Sequence, residues 1–145
     1  MKYQMMRVLK NTLLISGFID SCYLLLYKYH LERMSFCPTH GCDTVNMSHY
    51  SDFFGIPVAF IGIIGYIVLF LTQLSSKNRF LNLTYTLLIF IAFSFSTYLT
   101  LTELLIIHAV CFWCAISFMF ISTLTFIELY SFISNLYLSR SRLRP

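Results

Sequence analysis

Charge is what this chain has least of. Lys, Arg, Asp and Glu make up 11% of its 145 residues, under half of the roughly 25% found in average soluble domains. That leaves too few polar side chains to clothe a soluble globule of this size. The ten basic residues lie at the ends of apolar stretches rather than in one patch, so the net charge of +4 does not point to nucleic acid. No repeat, low-complexity tract or composition break marks a second domain, and residues 1–145 read as a single transmembrane domain. A cleavable leader is also not evident: the first apolar stretch is too long for a signal-peptide core and lacks a small-residue cleavage site, so it reads as a retained anchor. What is abundant is hydrophobic surface, 58% of residues, with 18% aromatic. The expected class is an all-α integral membrane protein set among lipid.

Four apolar stretches approach or exceed the ~20 residues that cross a bilayer core: Leu13 to Tyr29, Ile56 to Leu74, Leu81 to Ile107, and Ala109 to Leu136. The third and fourth lack a polar loop between them. A tight turn is expected over Glu103 to His108, where the only charged residue and only histidine of that region fall, so the third helix is expected over 81–101. The polar run Gln73 to Arg79 makes helices two and three antiparallel neighbours. The architecture predicted is a four-helix bundle with a cysteine-bearing loop between helices one and two.

Lys and Arg are retained on the cytoplasmic side of a membrane. Lys2, Arg7, Lys10, Lys77, Arg79, Arg140, Arg142 and Arg144 fall on one side, eight of the ten, while Lys28 and Arg33 fall in the first loop. Both termini are therefore expected in the cytoplasm. The first loop and the turn before Cys111 face outward, which for a bacterial inner membrane is the periplasm.

That outer side carries two cysteine pairs, Cys37 with Cys42 in the loop and Cys111 with Cys114 at the head of the last helix. Disulfides persist in oxidising compartments, and two close pairs on one such face suggest thiol–disulfide exchange between them. Cys-x-x-Cys at a helix start puts both sulfurs on one face near a helix N-terminus that favours thiolate. Cys111 is expected to be the exposed partner and Cys114 the deeper one. Other readings stay open: inert buried thiols, a structural loop disulfide, or zinc on Cys37, His40, Cys42 and His49, although these spacings do not match usual zinc sites and leave the second pair unexplained. Cys22, alone in helix one, reads as packing. Asp20 sits deep in that helix, where an ionisable group marks either a functional site or a helix–helix hydrogen bond to Ser21 or a tyrosine.

The run from Cys37 through Val45, then Ser48, then Gly55 to Ala59, Gly62 and Tyr66, resembles the first loop and second helix of the vitamin K epoxide reductase family, especially its bacterial members. Gly17 to Leu24 and the Cys-x-x-Cys opening the last helix resemble it too, so the likeness runs from about Gly17 to about Phe118. It implies a quinone-dependent, disulfide-forming oxidoreductase. Cys37 and Cys42 would exchange with a thioredoxin-fold (DsbA-like) partner, Cys42 would pass electrons to Cys111, and Cys114 would face the quinone, a ubiquinone or menaquinone. Ser48 matches a serine that positions the loop and site. The chain ends at Pro145 in an arginine-rich tail, so the partner is expected to be a separate periplasmic protein. Phe118 stands where vertebrate members often carry a hydrogen-bonding tyrosine, which speaks against epoxide reduction. Phe118 is expected to wall the quinone pocket beside Cys114, with Asp20 near it, and no resident metal is expected.

Overall fold

The computed structural model describes residues 2–29, 37–38, 41–75 and 79–141. Arg33, His40, Lys77, Arg142 and Arg144, which entered the reading of charge and of the zinc alternative, lie outside the described residues. Four long helices dominate what is described: α1 (Lys2–Tyr29), α3 (Val58–Leu74), α4 (Arg79–Thr102) and α5 (Phe112–Ser141), with a six-residue α2 (Gly41–Asn46) between the first two. They pack as a ring, α1 against α3, α3 against α4, α4 against α5, and α5 back against α1.

Several boundaries differ from those read off hydropathy. Helix α1 begins at Lys2 rather than near Leu13. Apolarity marks only the lipid-embedded part, whereas Met, Arg, Leu and Lys are strong helix formers that carry the helix beyond it. Helix α3 begins at Val58, because Ile56 and Pro57 instead form β2, paired antiparallel with β1 (Asp52–Phe53) in the register Asp52 to Pro57 and Phe53 to Ile56. A proline has no N–H for a helix interior and holds its predecessor extended. The hairpin turn, Phe54 at φ 53° and Gly55 at φ 79°, has both central residues left-handed, the combination a two-residue type I′ turn requires.

The expected turn over Glu103 to His108 is mostly helix. Helix α4 runs on through one π turn, Glu103–Ile107, and stops only at His108, which adopts a left-handed conformation. Leu104 to Ile107 contain nothing that breaks a helix, and the Glu103 carboxylate is buried rather than looped out. Helix α5 accordingly starts at Phe112, not at 109.

Three helical segments are long and apolar enough to cross a membrane, Gln4–Tyr29, Phe80–Ile107 and Phe112–Ser134, and α3 is a shorter apolar helix. Their outward faces are apolar, with Ile19, Ile91, Met119 and Phe126 all more than 60% exposed, while Asp20, Gln73, Thr86, Glu103 and Glu128 are buried. Apolar outside and polar inside is the arrangement that lipid selects. The chain is an integral membrane protein.

The mid-bundle core gathers Leu14, Tyr66, Leu69, Tyr85, Ile89, Ile121 and Leu124 from all four long helices. At the end where α1 begins, the bundle is tied by polar contacts. Lys10 Nζ donates to Glu128 Oε2 at 2.5 Å, Thr86 Oγ1 donates to Glu128 Oε1 at 2.7 Å, and Gln73 joins Asn11 at 2.6 Å and Tyr85 at 3.2 Å. Removing one partner of such a buried pair leaves an uncompensated charge. Glu128→Ala is expected to lower stability by about 3–5 kcal/mol, read as a lowered thermal midpoint in detergent. A midpoint equal to that of the unsubstituted protein would make the pair energetically idle.

Candidate active site

The loop side of the bundle is fastened to α1 by two contacts. The Tyr27 hydroxyl donates to the Asp43 carboxylate on α2, and Lys28 donates to Ser51 Oγ at 2.8 Å and to Asp52 at the hairpin base. Within α2, Asn46 Nδ2 donates to the Cys42 carbonyl at 3.0 Å, and Ser48 Oγ closes the following turn onto the Val45 carbonyl at 2.7 Å. These bonds hold a six-residue helix that would not persist alone.

Cys37 and Cys42 are joined in a disulfide with Cα atoms 6.1 Å apart. Cys42 is buried, and it shares an apolar cluster with Leu24, Tyr27, Val45 and Cys111, flanked by Cys37, Trp113 and Cys114. All four cysteines therefore belong to one packing unit. Their approach is set by Gly41, whose hypothetical Cβ would lie 2.3 Å from the Val110 carbonyl oxygen. The residue before Cys42 thus rests directly on the backbone of the residue before Cys111. Only glycine permits that contact.

Cys111 and Cys114 are both free thiols. Their exposure reverses the sequence expectation: Cys111 is fully buried, and Cys114 is half-buried. Cys111 precedes α5 and is roofed by α2, whereas Cys114, one turn further, opens onto a cavity. Cys111 accordingly faces the loop pair and Cys114 the cavity. The neighbouring Cys114 thiol holds the Cys111 pKa below the ordinary thiol value, against the opposing effect of burial.

The cavity has a volume of about 210 Å³, and among its lining residues are Ser48, Gly62, Tyr66, Glu103, Cys114 and Ser117. That is below the ~300–1,000 Å³ of drug-sized sites. Its wall is largely apolar with a few converging hydroxyls, a lining suited to a flat apolar ring that accepts hydrogen bonds. Phe118, expected as the wall beside Cys114, does not line it and instead stacks on Phe93 of α4 with ring centroids 6.1 Å apart. Along α5 the cavity face runs Cys114, Ser117, Ile121. A step of four residues from Cys114 turns away toward α4, whereas steps of three and seven stay on the face.

Asp20 is also absent from the lining, although its neighbours Ser21 and Ser117 contribute to it. Both Asp20 oxygens are buried and lack a hydrogen-bond partner among the described residues; the Ser117 hydroxyl lies alongside without meeting hydrogen-bond geometry and pairs instead with the Tyr66 hydroxyl at 3.0 Å. Neither Ser21 nor a tyrosine bonds to Asp20 among the described residues, so the helix-to-helix alternative does not form. Cys22 is half-buried and lies outside the cysteine cluster. Among the described residues no three His, Cys, Asp or Glu side chains gather as metal ligands. His49 is exposed, and His40 lies outside the described residues.

Sequence reasoning missed Glu103, treating it only as a marker of a turn. It is buried on the π turn, and its Oε2 accepts the Cys111 N–H at 3.0 Å while the Cys114 thiol lies alongside its carboxylate. Since the Cys111 carbonyl accepts the N–H of Ala115 at 3.0 Å, Cys111 caps α5, and Glu103 places a carboxylate at that helix N-terminus. The signal was available: a lone carboxylate in a long apolar stretch is the criterion that singled out Asp20.

A profile of the vitamin K epoxide reductase family matches residues 11–129, spanning α1 to α5 and both cysteine pairs. The chain belongs to the vitamin K epoxide reductase family. Comparison with curated proteins found no match. Membership makes this a membrane disulfide oxidoreductase of a quinone-linked family, and the family's redox chemistry accords with two cysteine pairs in one cluster.

Proposed function

We propose that this chain is a four-helix membrane enzyme that oxidises the dithiol of a separate thioredoxin-fold protein and delivers the electrons, through Cys37–Cys42 and then Cys111–Cys114, to a quinone in the cavity. The observation that carries this reading is the backbone contact of Gly41 on Val110, which sets Cys42 beside Cys111 while Cys114 opens onto the cavity. Each half of the core pair then has one task, Cys111 toward the loop and Cys114 toward the acceptor.

A partner thiolate attacks the loop disulfide, and the partner's second thiol resolves the mixed disulfide, leaving partner disulfide and loop dithiol. Cys42 thiolate then attacks Cys111 of the oxidised core pair, and Cys37 displaces Cys111 from Cys42. The loop disulfide is restored and the core pair is reduced, with two electrons and two protons passed on. A quinone, when bound, supplies the two-electron acceptor that makes the direction favourable. Cys114 is the core thiol in reach of it, Ser48 holds the end of α2 over the cavity, and Asp20, one layer behind Ser21 and Ser117, tunes the field there. Phe118 acts through packing on Phe93. Purified protein supplied with a reduced thioredoxin-fold protein and quinone should bleach the quinone absorbance. No bleaching, with the loop pair still exchanging with the partner, would sink the quinone route.

The basic residues motivate an orientation with both termini cytoplasmic and the four thiols periplasmic, as in a bacterial inner membrane. In intact cells after mild reduction, a membrane-impermeant maleimide is expected to label Cys37 and Cys42. Protection of both until the membrane is opened would reverse the orientation.

A further inference from the structure

Glu103 is the one carboxylate among the described residues that line the cavity, and the relay above gives it no task. It is 6% exposed, it lies on a π turn, it accepts the Cys111 backbone N–H at 3.0 Å, and it lines the same cavity as Cys114. The remaining buried carboxylates of the bundle are otherwise placed. Glu128 is engaged by Lys10 and Thr86, and Asp20 does not reach the cavity.

Oxidation of a dithiol releases two protons with its two electrons, and Cys111 has no exposed surface through which water could take them. We propose that Glu103 is a catalytic acid–base residue that takes the Cys114 thiol proton and delivers it to the quinone-class acceptor in the cavity. This rests on the reading that the core pair discharges there. The S–H bond of Cys114 breaks as an O–H bond forms on Glu103. The Cys111–Cys114 S–S bond forms as one electron pair leaves for the acceptor. The O–H bond on Glu103 then breaks as an acceptor oxygen is protonated, which regenerates the carboxylate; the S–H bond of Cys111 breaks as its proton passes to the same carboxylate and from there to the second acceptor oxygen. A carboxylate already bonded to the Cys111 N–H is held in place for this transfer, as general acid–base geometry demands.

Glu103→Gln keeps the size of the side chain and an acceptor for the Cys111 N–H while removing the proton-carrying group. Two readouts should move in opposite directions. Single-turnover oxidation of the reduced core pair by a water-soluble quinone is expected to slow by about 10²–10⁴-fold. Alkylation of Cys114 by a small neutral reagent in quinone-free protein is expected to quicken severalfold, since the carboxylate charge that opposes a neighbouring thiolate is gone. A merely structural role would slow both together, and that result, or core-pair oxidation at the unsubstituted rate, overturns the assignment. Should the Gln variant fail to insert, the unsubstituted protein gives the answer by time-resolved infrared spectroscopy: a carboxylic-acid band that rises and decays within one turnover supports the proposal, and its absence overturns it. Unsubstituted protein whose core pair no quinone oxidises would instead overturn the relay itself.

Discussion

Cys114→Ser is expected to lower quinone reduction by about 10³-fold or more, because it removes the one core thiol that reaches the cavity and with it the group that must be oxidised there. The same variant should accumulate a product that the unsubstituted enzyme resolves. Cys111, its partner gone, attacks the Cys37–Cys42 disulfide beside it, and a Cys42–Cys111 disulfide forms while Cys37 is released as a thiol. Both cysteines lie in one apolar cluster, which keeps the mixed disulfide from small thiols in solution. Non-reducing peptide mapping would show the Cys42–Cys111 cross-link. A cross-link from Cys37 instead would reverse the order of the relay, and retained quinone reduction would remove Cys114 from the chemistry.

Gly41→Val should uncouple the two pairs without touching a sulfur atom. A side chain at residue 41 cannot share space with the Val110 carbonyl, where even a Cβ would stand at 2.3 Å, and the contact is backbone to backbone, so neither side can yield by changing rotamer. Helix α2 must lift, and a misplacement of about 1 Å is enough to cost on the order of 10²-fold in a reaction that depends on alignment. With reduced partner and quinone supplied, the loop pair of the unsubstituted protein should be found mainly as the disulfide. That of Gly41→Val should accumulate as labelled thiols, while a small dithiol that enters the cavity and reduces the core pair through Cys114 still drives quinone reduction. A loop pair that stays oxidised during turnover would show that the close approach is dispensable.

These two variants separate what each cysteine faces, and that division was the part of the site least visible in the sequence. Spacing alone puts Cys111 and Cys114 on one face of a helix head, and from there Cys111 looks the more exposed. It is buried because α2, distant in sequence, is laid over it by Tyr27 on Asp43 and by Gly41 on Val110. Phe118 lies off the cavity for a similar reason: four residues and three residues along a helix are both one turn away, and only the position of α4 decides that Ser117 faces the cavity while Phe118 meets Phe93. Glu103 was hidden by a boundary. A continuous apolar run from Leu81 gives hydropathy no means of telling a helix that ends from one that passes through a π turn.

Composition and motif order were sufficient for the solvent, the helical character and the chemical class. Scarce charge and long apolar runs leave lipid as the medium, because a bilayer admits only segments that satisfy their own backbone hydrogen bonds. Cysteine order, together with the motif from Cys37 to Tyr66, was enough to indicate the family whose profile spans residues 11–129. These properties are additive along the chain and survive without knowledge of which helix touches which. Only the packing of the helices shows that the loop disulfide and the core thiols share one cluster, that Cys114 rather than Cys111 opens onto the cavity, and that Glu103 bonds the Cys111 N–H and lines the cavity with Cys114. Each of these is a contact between segments far apart in sequence or across a helix break, set by close packing of backbone and side chains, and a one-dimensional pattern of apolar and polar residues carries no record of it.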